Sequence, residues 1–246
     1  MLPLPKSLKI DRDLEEEKDL LAKSRAYLEK SDRTGIHATD LMDPRISYFK
    51  KLTGAPIPDR LINMFIVGQI AHSIIEVVKS GTGDYTRPSD VGTKVFNDLH
   101  YSPDFLNFKG EPDEIKTTRS FYPPNKAYLP DDDTFHMYLE QLLTYMAAEE
   151  KTVGRLTILY LNLKGEDGRT SPQFYVWKVE AEIGAIKAMQ KVLGKAKNEL
   201  EFALGTKDFS ALPLCRRWKC GEKECDFWLQ CLPVGRFGIP KKEWTA

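Results

Sequence analysis

The chain has little cysteine, and what it has is confined: all four cysteines of 246 residues fall between positions 215 and 231. A disulfide framework spread through a secreted fold is thereby disfavoured, and clustered thiols point instead to metal ligation. A charge bias is missing too, with 36 Lys and Arg set against 36 Asp and Glu. Any affinity for nucleic acid must therefore come from local patches rather than overall charge. No run of about 18 apolar residues stands out, so no membrane-spanning segment is expected. The opening MLPLPKSLKIDRDLEEEKDL has no apolar h-region and turns acidic at once. That is unlike a secretory signal, and a cytoplasmic location is expected. Internal repeats and low-complexity blocks are also lacking. What is present is ordinary for a globular protein, 41% hydrophobic and 29% charged, on a chain long enough for one large domain or a core with appendages.

Periodicity supplies the elements. Residues 12–30 read as a charged helix with a thin apolar stripe, an outer helix or arm. A short helix is expected within 39–53, starting near Asp43-Pro44, because proline suits a first helical turn. Residues 61–80 form the next helix, with Val67, Ala71, Ile74, Ile75 and Val78 at helical spacing. Strands are expected at 93–106 and 111–119, with NFKG as the turn between them. A helix over 134–150, capped by Asp133 or Thr134, follows. RLTILYLNLK reads as a buried strand and QFYVWKVEA as its partner after the turn GEDGR. A Lys-rich helix over 182–204 precedes the cysteine segment. The expected fold is α/β, a mixed central sheet flanked by helices.

The chemistry concentrates in KGEPDEIKTTRS, residues 109–120. On a strand Glu114 and Lys116 share a face and Ile115 takes the other. If the hairpin is centred on Lys109, Asp104 lies opposite Glu114, with Cβ atoms about 5 Å apart. Two carboxylates that close repel unless a cation sits between them, and Mg²⁺ or Mn²⁺ suits oxygen ligands. Asp113 is a rival acid, but it points to the face opposite Glu114. A solvated Glu–Lys pair is the simpler reading of EIK alone. GQIAHSIIE places Gly68, His72 and Glu76 along one helical row, so His72 is either a metal ligand or a satisfied core histidine. YLEQLLTYM places Gln141 and Tyr145 beside a stripe of Leu139, Leu142, Leu143 and Met146. That pair either holds a phosphate or an unstacked base, or simply packs.

In this order, the four pieces resemble the PD-(D/E)XK nuclease superfamily, and within it the RecB-like branch. That branch carries a helical His, an Asp, a Glu-x-Lys and a Gln-x-x-x-Tyr helix, matched here by His72, Asp104, Glu114-Ile115-Lys116 and Gln141-x-x-x-Tyr145. The resemblance covers roughly residues 36–235. It implies a restriction-endonuclease-like core and a metal-dependent DNA nuclease. His72, Asp104, Glu114 and the Ile115 carbonyl would be the ligands, Lys116 would sit at the attacking water, and Gln141 and Tyr145 would complete the catalytic set.

CRRWKCGEKECDFWLQC places Cys215, Cys220, Cys225 and Cys231 within one short segment. Four thiolates suffice for a [4Fe–4S] cluster or for zinc, although the spacing fits zinc knuckles only partly. The end of the segment resembles the iron–sulfur staple of CRISPR-associated RecB-like exonucleases and of AddB helicase-nucleases. Those proteins take one cysteine from an N-terminal Cys-Pro-Arg. Here the matching place reads Asp43-Pro44-Arg45, and Cys215 stands as the replacement. Arg216, Arg217, Lys219 and Lys223 interleave with Trp218, Phe227 and Trp228, a pattern that suits single-stranded DNA or shields a cluster. Lys187, Lys191, Lys195 and Lys197 either extend a DNA track or are solvated.

The expected organisation is a helical arm (1–35), a nuclease core (36–206) and a cysteine segment with tail (207–246). The expected activity is hydrolysis of DNA, single-stranded and from its ends. The CRISPR-associated branch would imply spacer trimming beside integrase proteins, and a homo-oligomer is compatible with it. A repair, recombination or viral nuclease fits the same motifs. A non-catalytic DNA-binding module and a zinc-stabilised interaction domain are the rivals from other classes.

Overall fold

The computed structural model describes residues 14–29, 34–81, 83, 85–86, 92–120, 133–165, 168–214, 225–228 and 230–231. Five helices and eight strands follow one another in these segments. They are α1 (Leu14–Glu29), β1 (Ile36–His37), α2 (Pro44–Thr53), α3 (Asp59–Gly81), β2 (Tyr85–Thr86), β3 (Lys94–Phe96), β4 (Leu99–Tyr101) and β5 (Phe105–Asn107). Then come β6 (Pro112–Thr118), α4 (Asp133–Ala148), β7 (Val153–Lys164), β8 (Thr170–Glu180) and α5 (Ile183–Thr206). The main sheet has the order β2-β5-β6-β7-β8, and a small sheet has the order β1-β4-β3. β6 and β7 are parallel, and the other main-sheet pairs are antiparallel. The fold is thus α/β with mixed sheets, as the alternation of helical and strand patterns implies. Parallel neighbours need a crossover, and α4 supplies it.

β7 is the spine. Leu156, Ile158 and Tyr160 are buried in the main core, together with Leu142 and Met146 of α4 and Leu193 and Leu200 of α5. Gly154 lets α4 close on this strand, since a Cβ there would stand 3.0 Å from Leu142 Cδ1 and from Met146 Cγ. Residues 114 and 116 pair with 156 and 158, so they face α4. Residues 113, 115 and 117 face α3 on the rear, where Ile75, Phe105 and Ile115 form a second, smaller core.

Three expectations are corrected. The segment 93–106 is not one strand. Asn97 and Asp98 adopt φ of 48° and 58° and turn β3 back onto β4. Two consecutive residues tolerant of left-handed backbone are the hairpin signal that the strand reading passed over. On α3, Ile62, Ala71 and Ile75 are buried but Ile74 and Val78 are exposed, so the expected apolar stripe does not all face the core. The same helix also overturns the expectation that no segment is long and apolar enough to cross a membrane. Leu61–Lys79 meets that standard by length and composition. It nevertheless lies against α1 and β6 in the fold.

The C-terminal segment docks on α2. Buried Arg45 donates to the carbonyl oxygens of Leu212 (2.8 Å) and Ser210 (3.4 Å) and to Cys231 Sγ (3.4 Å). The Phe49 and Phe227 rings stack at 5.3 Å. Asp43-Pro44-Arg45 and the end of the cysteine segment are therefore neighbours.

Candidate active site

The hairpin that builds the site is fixed by its turn. Asn107 Oδ1 accepts from the backbone N–H groups of Lys109 and Glu111, both at 2.9 Å, and Gly110 takes φ of 69°. This Asx-type turn sets β5 against β6 with Phe105 opposite Asp113, the register centred on Lys109. The ladder stops there, one pair short of position 104. Asp104 lies in a bend and leans on the strand edge, where its Oδ2 accepts the Ile115 N–H at 2.7 Å. From that edge its Oδ1 stands 3.7 Å from His72 Nδ1 on α3. Asp104 thus reaches both the rear helix and the front carboxylate.

Glu114 is 1% exposed on the front face and ion-paired through Oε1 to Lys116. Its Oε2 is buried and meets no hydrogen-bond donor, although Asp104 is near enough for the two carboxyls to share a proton. Burial and then the Asp104 charge push the Glu114 carboxyl up to about 8, against the pull of Lys116. For Lys116 burial favours loss of the proton, but Glu114 and Asp104 outweigh it and its pKa rises. The ammonium also stands 5.8 Å from the centroid of the Tyr138 ring on α4.

His72, Asp104, Glu114 and Lys116 are therefore brought together, with the buried Ile115 side chain behind them. Among the described residues, no group of three or more His, Cys, Asp and Glu side chains stands ready to hold a metal ion. Two of the needed oxygens are engaged, Glu114 Oε1 by Lys116 and Asp104 Oδ2 by the Ile115 amide. The orphaned Glu114 Oε2 next to a second carboxylate is nonetheless what a hard cation would satisfy, so the donor set fits Mg²⁺ or Mn²⁺.

Gln141 and Tyr145 do meet, with Gln141 Nε2 donating to the Tyr145 hydroxyl at 2.9 Å. Tyr145, however, is 3% exposed and packs 6.2 Å from the Tyr101 ring. It is enclosed by protein, which removes it as a surface for a base. The rival acid Asp113 pairs on the rear face with Lys79 and accepts from Thr157 Oγ1 at 3.1 Å. Sequence reasoning passed over that triad, whose members are 34 and 44 residues apart.

Cys225 is half-buried and Cys231 buried, while Cys215 and Cys220 lie outside the described residues, as do Arg216, Arg217, Trp218, Lys219 and Lys223. Phe227 is buried against Phe49. Lys187, Lys191 and Lys195 are exposed along α5, and Lys197 pairs with Glu201 (3.1 Å) and Asp98 (3.8 Å).

The main sheet is mixed, Asp104 stands beside the Glu114-x-Lys116 strand, and α3 and α4 pack against that strand from its two faces. Two solved structures share the architecture. SSO0001 superposes with a TM-score of 0.60 at 18% identity, over 89% of this chain and 96% of that one. A phage-related exonuclease from Haemophilus somnus 129PT superposes with a TM-score of 0.50 at 8% identity, over 74% of this chain and 100% of its own. No protein-family model and no curated protein matches the sequence.

Proposed function

We propose that the chain is a metal-dependent deoxyribonuclease acting on single-stranded DNA from its ends. The observation that carries the reading is Glu114, a buried carboxylate with one unsatisfied oxygen, set between a second carboxylate and a lysine. The fold shared with a protein described as an exonuclease supports it. His72, Asp104 and Glu114 would hold Mg²⁺ or Mn²⁺, with the Ile115 carbonyl as a further oxygen. Such an ion would polarise the phosphodiester and make a bound water a nucleophile at neutral pH.

The protein's own groups do the rest. Lys116 places a positive charge where negative charge develops on the phosphoryl oxygens. Asp104, tied to the β6 backbone, keeps its carboxylate in register with Glu114. Gln141 and Tyr145 fix the wall of the site through their mutual hydrogen bond.

The cysteine segment is read as a separate metal site. Cys215, Cys220, Cys225 and Cys231 would hold a [4Fe–4S] cluster, or zinc in its place. Arg45 Nη1 donates to Cys231 Sγ at 3.4 Å and so holds that side chain against α2. Absorbance near 400 nm with metal analysis separates iron from zinc. A cytoplasmic role in trimming DNA for CRISPR integrase proteins, or in repair, is the biological setting that matches this chemistry.

The test is incubation of the purified chain with labelled single-stranded DNA and Mn²⁺, using 5′- and 3′-blocked substrates. Shortening by the parent that Glu114→Ala and Lys116→Ala abolish is expected. DNA binding without cleavage would make the protein a binding module instead.

A further inference from the structure

Helix α4 turns positions 138, 141 and 145 toward the front face of β6, spaced three and then four apart and so on one side of the helix. Tyr145 is buried and bonded to Gln141, as described above. Tyr138 is half-buried, and its ring is the aromatic surface that reaches the Lys116 ammonium.

We propose that Tyr138 is a substrate-positioning residue, the platform on which the nucleobase next to the scissile phosphate stacks. The inference deepens the nuclease reading and rests on it. A phosphate drawn to Lys116 carries its base one sugar away, and a ring 5.8 Å from that ammonium stands where the base arrives. Every base has a π-face, so stacking holds DNA of any sequence. It requires a base that is not already stacked in a duplex, which selects single-stranded ends. The helix is suited to the task, because Leu142 and Met146 anchor it fully buried in the main core and hold Tyr138 at a fixed height above β6.

The test compares the parent with Tyr138→Phe, Tyr138→Trp and Tyr138→Leu on single-stranded DNA with Mn²⁺. Each protein is also given the same oligonucleotide with an abasic nucleotide next to the mapped cleavage point. Phe and Trp retain an aromatic face and are expected to keep the parent's KM. Leu is expected to raise KM roughly tenfold, with kcat little changed. The abasic oligonucleotide is expected to bring the parent to the level of Tyr138→Leu and to cost that variant nothing more.

An equal loss by Tyr138→Leu on both substrates would overturn the proposal, since the ring would then only orient Lys116 or pack the helix. Parent-like behaviour of Tyr138→Leu on ordinary DNA would overturn it too. Melting temperatures of all variants separate misfolding from lost stacking, and Tyr138→Phe and Tyr138→Trp keep the proposal testable should Leu fail to fold. A parent that does not cleave overturns the nuclease reading itself, a result distinct from cleavage that is indifferent to position 138.

Discussion

Asp113 and Glu114 are consecutive residues of one strand, each 1% exposed and each ion-paired to a lysine, yet they face opposite sides of the sheet. On the rear, Asp113 is complete. Lys79 bonds one oxygen and Thr157 the other, and the Lys79 ammonium also lies over the rings of Tyr85 (4.6 Å) and Phe105 (5.4 Å). Burial still raises the Asp113 carboxyl, while Lys79, Thr157 and Arg155 pull it down. On the front, Glu114 has the same burial and a similar lysine, but its second oxygen meets no donor and the next group is another carboxylate. The difference lies in satisfaction, not in charge or depth. A buried pair with every acceptor used is architecture, whereas a buried pair with one acceptor left over is held ready for something that comes and goes.

The comparison breaks most visibly if the two carboxylates are exchanged in role. Glu114→Ala is expected to leave a folded protein whose cleavage rate on single-stranded DNA falls roughly 10²- to 10³-fold or more. Asp113→Ala is expected instead to lose about 1–3 kcal/mol of stability in urea titration, because it removes the buried acceptor of the half-buried Lys79 and of Thr157. The reverse pattern would refute the assignment of front and rear.

A second expected effect is tied to pH. The Glu114 carboxyl titrates at about 4.5 in its ordinary setting and at about 8 in the fold. Between those values the folded chain keeps a proton that the unfolded chain has shed. The contribution of Glu114 to the stability of the metal-free protein is therefore fully present below the lower value, declines through the window and is lost above about 8. Uptake of a divalent ion at the proposed site would expel the same proton, so Mn²⁺ affinity by calorimetry is expected to rise about tenfold per pH unit up to that point. A flat profile would remove Glu114 as the receiving group.

Smaller effects sharpen the contrast. Gly154→Ala drives a methyl group to 3.0 Å from Leu142 and Met146, and is expected to cost about 1–3 kcal/mol by forcing α4 off the front face. Chemical denaturation measures it. Joint replacement of the rear pair by Lys79→Met and Asp113→Leu is expected to change stability by about 1 kcal/mol or less, in either direction. Cleavage per folded molecule should survive that double change, which no replacement of Glu114 would allow.

The parts of the site that were legible in the sequence are those fixed by local rules. Asn107 and Gly110 make the turn, the turn makes the register about Lys109, and alternation then puts Glu114 and Lys116 on one face and Asp113 on the other. The Gln141–Tyr145 bond follows from a four-residue helical step. What stayed hidden depends on distant partners. Nothing near Asp104 announces that the ladder ends one pair early and that the Ile115 amide takes its carboxylate. Nothing near Asp113 names Lys79 or Thr157. The exposure of Ile74 and Val78 is set by how far α3 overlaps the sheet, which helical spacing does not encode. Asn97-Asp98 is the exception, a local hairpin signal that was present and outweighed by the apolar run around it.

The crossover between β6 and β7 has a consequence for how the candidate site comes into being. The strand that carries Glu114 finds its parallel neighbour only after α4, which lies between the two in the chain, has packed on the sheet. Contacts so far apart along the chain form late and slowly. A nascent or partly unfolded molecule therefore lacks the assembled candidate site, and the proposed cleavage would wait on the finished fold.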